Sequence, residues 1–311
     1  MKKLFVMTLA VAALASCSKV ETIEPGYKSA IGFGKSFVEN STKALLDATT
    51  IKAGDGNFAV WGTEKQGTNP AVAIFAAEEI TWSGSAWEYD STVRYWHKDH
   101  VFNFAAVAPY SANTTVALGA DMLPATASYT LQPALANQVD LLYAKSNADI
   151  TPDSDSYAEK VNFTFDHMLA KVKFQIQNTY TTGYTVVIED LKITAAETAT
   201  VTFASKTWAS HASTVDLPFA ISTIASAATG ESNESLIIPN AAPSYVVSGT
   251  AKVMMDGTTV VKTIPLSYTI TSALQAGYHY NITALIEPSN PIQFNVVGIN
   301  GFTPGSDVDI N

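Results

Sequence analysis

The chain of 311 residues has one cysteine, Cys17, so no disulfide framework is open to it. Charged side chains make up only 15% of it, with 18 basic residues against 28 acidic ones, and Arg94 is the sole arginine. The formal charge is −10 and no basic cluster interrupts it, which excludes a surface that tracks a phosphate backbone and leaves nucleic acid out as a partner. No sustained 3.6-residue periodicity marks an amphipathic helix. Missing too are a Gly-x-Ser-x-Gly elbow, a phosphate-cradling glycine loop and a nucleotide fingerprint, so the chain reads as a non-enzyme with no cofactor.

What is present begins with Met1-Lys2-Lys3, an apolar stretch over residues 4–14, and Leu14-Ala15-Ser16-Cys17. That stretch falls short of the roughly 20 apolar residues needed to cross a bilayer, and its order is that of a secretory signal. Small residues before Cys17 form a lipobox: they let a peptidase reach the backbone, and the thiol at the new N-terminus can receive diacylglycerol. Each buried CH₂ of such a chain contributes about 0.8 kcal/mol, so the expectation is an exported protein anchored by Cys17 to outer-membrane lipid and exposed at the cell surface. The other reading of Cys17 is an ordinary signal peptide with an incidental cysteine.

Residues 1–16 are thus the signal and 17–28 a polar tether without an apolar face. With 47% hydrophobic residues the remainder can bury a sizeable core, and its length exceeds what one core usually serves, so two domains are expected. Alternation at period two recurs. Val161, Phe163 and Phe165 interleave with Asn162, Thr164 and Asp166; Val172, Phe174 and Ile176 interleave with lysines and glutamines; residues 278–284 repeat the pattern. Further strands are expected at 58–61, 72–76, 80–82, 87–89, 101–107, 186–193, 201–203, 236–238, 245–255, 260–268 and 292–297. Turn signals such as Ser83-Gly84 and Asp256-Gly257 separate them. Many short strands so punctuated predict an all-β protein of tandem antiparallel β-sandwiches. The acidic, Ser- and Pro-bearing stretch 147–160 places the cut near 158, giving domains 29–157 and 158–311.

Three motif groups then resemble those of the fimbrillin-like family, the type V pilins. They are Val93-Arg94-Tyr95-Trp96 with Phe102-Asn103-Phe104-Ala105-Ala106 and Ala108-Pro109-Tyr110; Asp140-Leu141-Leu142-Tyr143-Ala144 with Phe163-Thr164-Phe165-Asp166-His167-Met168-Leu169-Ala170-Lys171; and Leu274-Gln275-Ala276-Gly277-Tyr278-His279-Tyr280-Asn281-Ile282. His97 stands where the family often has proline, and the tail lacks a tryptophan often found in the last strand. The resemblance implies two transthyretin-like sandwiches, export as a lipoprotein, and assembly with other fimbrial subunits for adhesion. It implies proteolysis after a basic residue, for which Lys43 in Thr42-Lys43-Ala44 is the candidate; the alternative is a solvated strand-end lysine. It also implies that the segment bearing Ile31, Phe33, Phe37 and Val38 is removable and that a neighbour's extended strand fills the groove. The tail, with Ile292, Phe294, Val296, Ile299, Val308 and Ile310, alternates as a donor strand must, although it can equally complete its own sheet.

Other constellations read as structural. His97 and His100 are three apart, but zinc wants further ligands and no cysteine remains to supply one, so no metal is expected. Residues 153–159 imitate a calcium loop yet lack the glycine at its sixth position and the acid at its twelfth. Asp166 and His167 are neighbours on a strand and point to opposite faces. Trp61, Trp82, Trp87 and Trp96 raise a second functional reading, a monomeric surface lipoprotein that binds glycans, although alternation sends most of them inward.

Overall fold

In a computed structural model the described residues are 28–38, 57–110, 114–146, 149–241, 245–289 and 292–300; Cys17, Lys43, Val308 and Ile310 lie outside them. They form seventeen strands and one 3-10 turn, Leu135–Asn137. In chain order these strands are β1 (Phe33–Val38), β2 (Phe58–Gln66), β3 (Val72–Trp82), β4 (Trp87–Glu88), β5 (His100–Ala108), β6 (Thr114–Leu118), β7 (Pro124–Thr130), β8 (Leu142–Lys145) and β9 (Val161–His167). They continue with β10 (Ala170–Asn178), β11 (Tyr184–Thr202), β12 (Thr207–Pro218), β13 (Thr229–Ile237), β14 (Tyr245–Met255), β15 (Thr259–Ile270), β16 (Tyr278–Ile286) and β17 (Gln293–Asn300). The all-β fold expected from the alternation is the fold observed.

The first lobe is a closed circuit of strands in the order β1-β4-β3-β2-β5-β8-β9. Its interior is aromatic: Phe33, Phe58, Phe75, Phe102, Phe104, Phe163, Phe165, Trp87 and Trp96 are all buried. Phe102 and Phe104, and Phe163 and Phe165, stand two apart on β5 and β9, so the pleat turns each pair to one side, while Trp96 comes from the segment before β5. The second lobe stacks a four-stranded sheet, β13-β10-β16-β17, against a sheet ordered β15-β14-β11-β7-β6, with β12 also on β11. One core cluster fills this sandwich and extends to Ala59, Trp61, Ala105 and Val107 on strands of the barrel.

Hydrogen bonding divides the chain differently from a cut near residue 158. β9, expected to open the second domain, pairs with β1 and β8 and closes the barrel. Its apolar face, Val161-Phe163-Phe165, matches that aromatic interior. Conversely β6 and β7, inside 29–157, belong to the second lobe, because Thr126–Thr130 pairs with Thr198–Thr202 of β11. That same end of β11 pairs with β12 on its other edge. β11 kinks between Glu189 and Lys192, where its register with β14 shifts and Asp190 takes a positive φ of 51°. Gly249 sits opposite this bulge, and a Cβ there would lie 3.0 Å from the Leu191 Cα.

Candidate functional site

β1 is the first strand of the described residues, and its local sequence explains its place. Ile31 and Phe33 point inward while Gly34 lets the backbone run close to Lys160 and Asn162, where a Cβ would come within 3.1 Å of the Lys160 Cβ. Ile31 N–H donates to Arg94 O (2.7 Å), Trp96 N–H to Ser29 O (3.0 Å) and Val161 N–H to Gly32 O (2.9 Å). The strand then lies parallel to β9, from Phe33 beside Val161 to Val38 beside Phe165, and pairs with β4 only at Phe33 and Trp87. The Phe33 ring stacks on Phe163 (6.1 Å between centroids) and meets Phe75, Tyr89 and Phe104 edge-on. Arg94 is spent on backbone carbonyls, its Nε donating to Ile74 O at 2.9 Å.

At the other end of the chain, β17 pairs antiparallel with β16 from Tyr278–Asn300 to Leu285–Gln293 and has no strand on its other side among the described residues. Val296 and Val297 are buried, Phe294 stacks on Tyr268 of the facing sheet (5.1 Å), and Ile292 is half-buried at the start of the strand. In this structure, therefore, the described part of the proposed donor segment completes its own sheet as an edge strand.

The motif segments meet in space. Trp96 packs edge-on against Phe102 at 4.9 Å. Asp140 and His167 form a buried pair, Oδ2 to Nδ1 at 2.5 Å, while Asp166 turns out to Lys206 at 2.9 Å; the opposite-face expectation for Asp166 and His167 holds. Gly277 N–H donates to Leu169 O (2.8 Å), and His279 lies beside Lys171 in the parallel β10–β16 pair. Lys171 Nζ is 2.9 Å from Glu234 Oε2. Burial pushes the His279 imidazole well below its ordinary value, and the Lys171 and Lys173 charges add to that against the opposing pull of Glu234.

On the barrel, at the end of the β2–β5 ladder, lie Glu64, His97 and His100. The Nδ1 atoms of both imidazoles meet Glu64 Oε1, that of His100 at 2.5 Å, and all three ligand atoms fall within 4.8 Å of one another. Spacing along the chain gave no signal for Glu64, because only the β2–β5 pairing carries it to the histidines. The 153–159 loop is used structurally: Asp155 Oδ1 accepts from Lys98 N–H at 2.8 Å. Trp61, Trp87 and Trp96 are buried and Trp82 is half-buried, so they form no open sugar platform. A cleft of about 690 Å³ is lined by residues including Asp166, Lys206, Trp208, Asn240 and Gln275.

The profile of the family described as Fimbrillin-like matches residues 42–300. The chain belongs to the fimbrillin-like family. Among solved structures, a fimbrial protein from Bacteroides vulgatus superposes with a TM-score of 0.65 at 18% identity, covering 88% of this chain and 99% of that one. A candidate cell adhesion protein from Bacteroides ovatus gives 0.52 at 15% identity, covering 90% and 100%. Another from Bacteroides uniformis gives 0.51 at 14% identity, covering 87% and 97%. At these identities the likeness is one of fold, and no curated protein matches the sequence. In this fimbrillin-like chain the interior tryptophans and the spent arginine above are structural parts.

Proposed function

We propose that this fimbrillin-like chain is a structural subunit of a surface fimbria, or a fimbria-associated surface lipoprotein, that serves adhesion and joins its neighbours by donor-strand exchange. It acts through its backbone edges and not through catalysis. Cys17 carries the lipid that holds the precursor in the outer membrane, and cleavage after Lys43 frees the segment that contains β1.

The observation that carries this reading is the position of β1. It is the one strand preceding Lys43 among the described residues, and it closes the barrel between β9 and β4. Its removal bares the N–H and C=O groups of β9 together with the trench lined by Phe75, Tyr89, Phe104 and Phe163. An open edge above an apolar trench templates strand addition. Three or four side chains buried at about 1.5–3 kcal/mol each, with around six hydrogen bonds at a net 0.5–1.5 kcal/mol each, bring on the order of 10–20 kcal/mol before ordering costs. The donor runs from Ile292 through Phe294 and Val296 to Val308 and Ile310. β17 supports this role because a strand with a single neighbour gives up fewer hydrogen bonds on leaving than a central one. Other subunits are the partners, and host or bacterial surface molecules are the targets of adhesion.

N-terminal mapping of protein recovered from membranes tests processing: a start at Ala44 supports it, and a full-length species acylated at Cys17 identifies an anchored form. Fibres seen by negative-stain microscopy should vanish when the tail after Asn290 is deleted. Fibres that persist without that tail would end the donor-strand reading.

A further inference from the structure

We propose that Glu64, His97 and His100 form a binding site for a divalent transition-metal ion, with Zn²⁺ the best match. Three lone-pair donors from two separate parts of the chain converge on one point: both imidazole Nδ1 atoms face Glu64 Oε1, and the rings are inclined at 49° with centroids 5.2 Å apart. A four-coordinate zinc ion with bonds of about 2.0–2.2 Å to His nitrogen and carboxylate oxygen needs a donor triangle with edges of roughly 3.3 Å. Rotation of the half-buried His97 ring and a small opening of the other two side chains reach that triangle.

The scaffold holds the donors in place. On the β2–β5 ladder Glu64 stands opposite Phe102 and Gln66 opposite His100, so Glu64 and His100 are diagonal neighbours on one face. His97 reaches the same point through a tight turn in which His100 N–H donates to His97 O (3.3 Å) and Asp99 takes a φ of 61°. That turn is clamped twice by the loop ahead of β9: Lys98 N–H donates to Asp155 Oδ1 (2.8 Å) and Asp99 N–H to Pro152 O (2.9 Å). Trp96, fully buried, anchors the residue just before it. Ligands on strands and a braced turn are held more closely than ligands on a free loop.

The donor set selects the ion. Two imidazoles and one carboxylate suit Zn²⁺ and its borderline neighbours Ni²⁺ and Cu²⁺, whereas Ca²⁺ asks for six to eight oxygens. The single carboxylate leaves a net positive charge once a dication binds, and the site is open on one side, with side-chain exposures of 12% for Glu64, 19% for His100 and 35% for His97. Water takes the remaining position. Bound there, the ion would tie β2 to the turn that starts β5.

Titration calorimetry with ZnCl₂ on the chelator-stripped mature protein tests this, together with the unfolding midpoint with and without Zn²⁺. One ion per chain, a raised midpoint and reversal by EDTA are expected. Glu64→Gln and His97→Gln should each weaken binding about tenfold or more, and His211→Gln should leave it unchanged. On the unaltered chain, one equivalent of Zn²⁺ should shift the imidazole NMR signals of two of the five histidines. Absence of stoichiometric uptake, uptake untouched by both ligand substitutions, or signals that stay in place at one equivalent overturns the proposal. The NMR result holds even where a variant fails to fold.

Discussion

Gly62 faces Phe104 across the β2–β5 ladder, and a Cβ at that position would come within 2.8 Å of the Phe104 ring and 3.0 Å of Phe75. Both rings are packed in the barrel interior and cannot withdraw without disturbing Phe33, so Gly62→Ala should destabilise the fold by about 1–3 kcal/mol in denaturant unfolding. Gln138 has a different role. Its buried side chain donates to Gln132 O (3.0 Å) and accepts from Leu236 N–H (2.9 Å), thereby capping the outer edge of β13. Replacement by leucine strands that N–H and should cost about 1–3 kcal/mol in the same measurement. For His279 the sign follows from its depressed value of about 4 against an ordinary 6.5. Between those values the unfolded chain binds a proton that the folded chain refuses, so stability falls as pH drops through 6.5 and the loss levels off below about 4. The loss contributed by this one residue should be about 1–3 kcal/mol near pH 4. Unfolding at pH 7 and pH 4.5 should therefore show a smaller difference in His279→Gln than in the parent; an unchanged difference would assign the effect elsewhere.

Among the elements, strands with strong alternation were legible and strands held by their partners were not. β9, β10 and β16 lie where Val161, Val172 and Tyr278 begin their alternating runs. β11 reads in sequence as two pieces, 186–193 and 201–203, yet it is one strand of 19 residues. Its middle, rich in Thr and Ala, is held by pairing to β12 and β7 and not by its own apolar pattern. β12 itself, with mostly exposed Ser, Thr and Ala, gives no local signal, and neither does β6. β1 was reached only through the family resemblance, on Ile31, Phe33, Phe37 and Val38, and the proposal that it is removable has a direct test. A chain beginning at Ala44 should bind a synthetic peptide of residues 29–38, followed by fluorescence anisotropy. Phe33→Ser in that peptide should weaken binding by at least about 100-fold, since loss of a buried phenylalanine costs roughly 3–5 kcal/mol.

At the scale of the molecule, the two lobes are interlocked by the exchange of strands. β6 and β7 leave the barrel's run of sequence to extend the sandwich, β8 and β9 return to the barrel, and one apolar cluster runs from Trp61 to Val296. The lobes should therefore unfold together: tryptophan fluorescence and far-UV circular dichroism should give coincident transitions. Two separated transitions would show that the packing of Trp61 and Val107 of the barrel into the sandwich core is weak.

Sequence alone determined the properties that depend on neighbours in the chain. The alternation that makes strands and the motif series that marks a fimbrillin-like chain are both local patterns, and the lipobox expected at Cys17 would be a third. Only the tertiary structure decided which strand pairs with which: that β9 belongs to the barrel, that β17 lies on β16, and that Glu64 reaches His97 and His100. Strand pairing joins residues far apart in sequence, and each apolar face is compatible with several partners until the packing of all of them selects one.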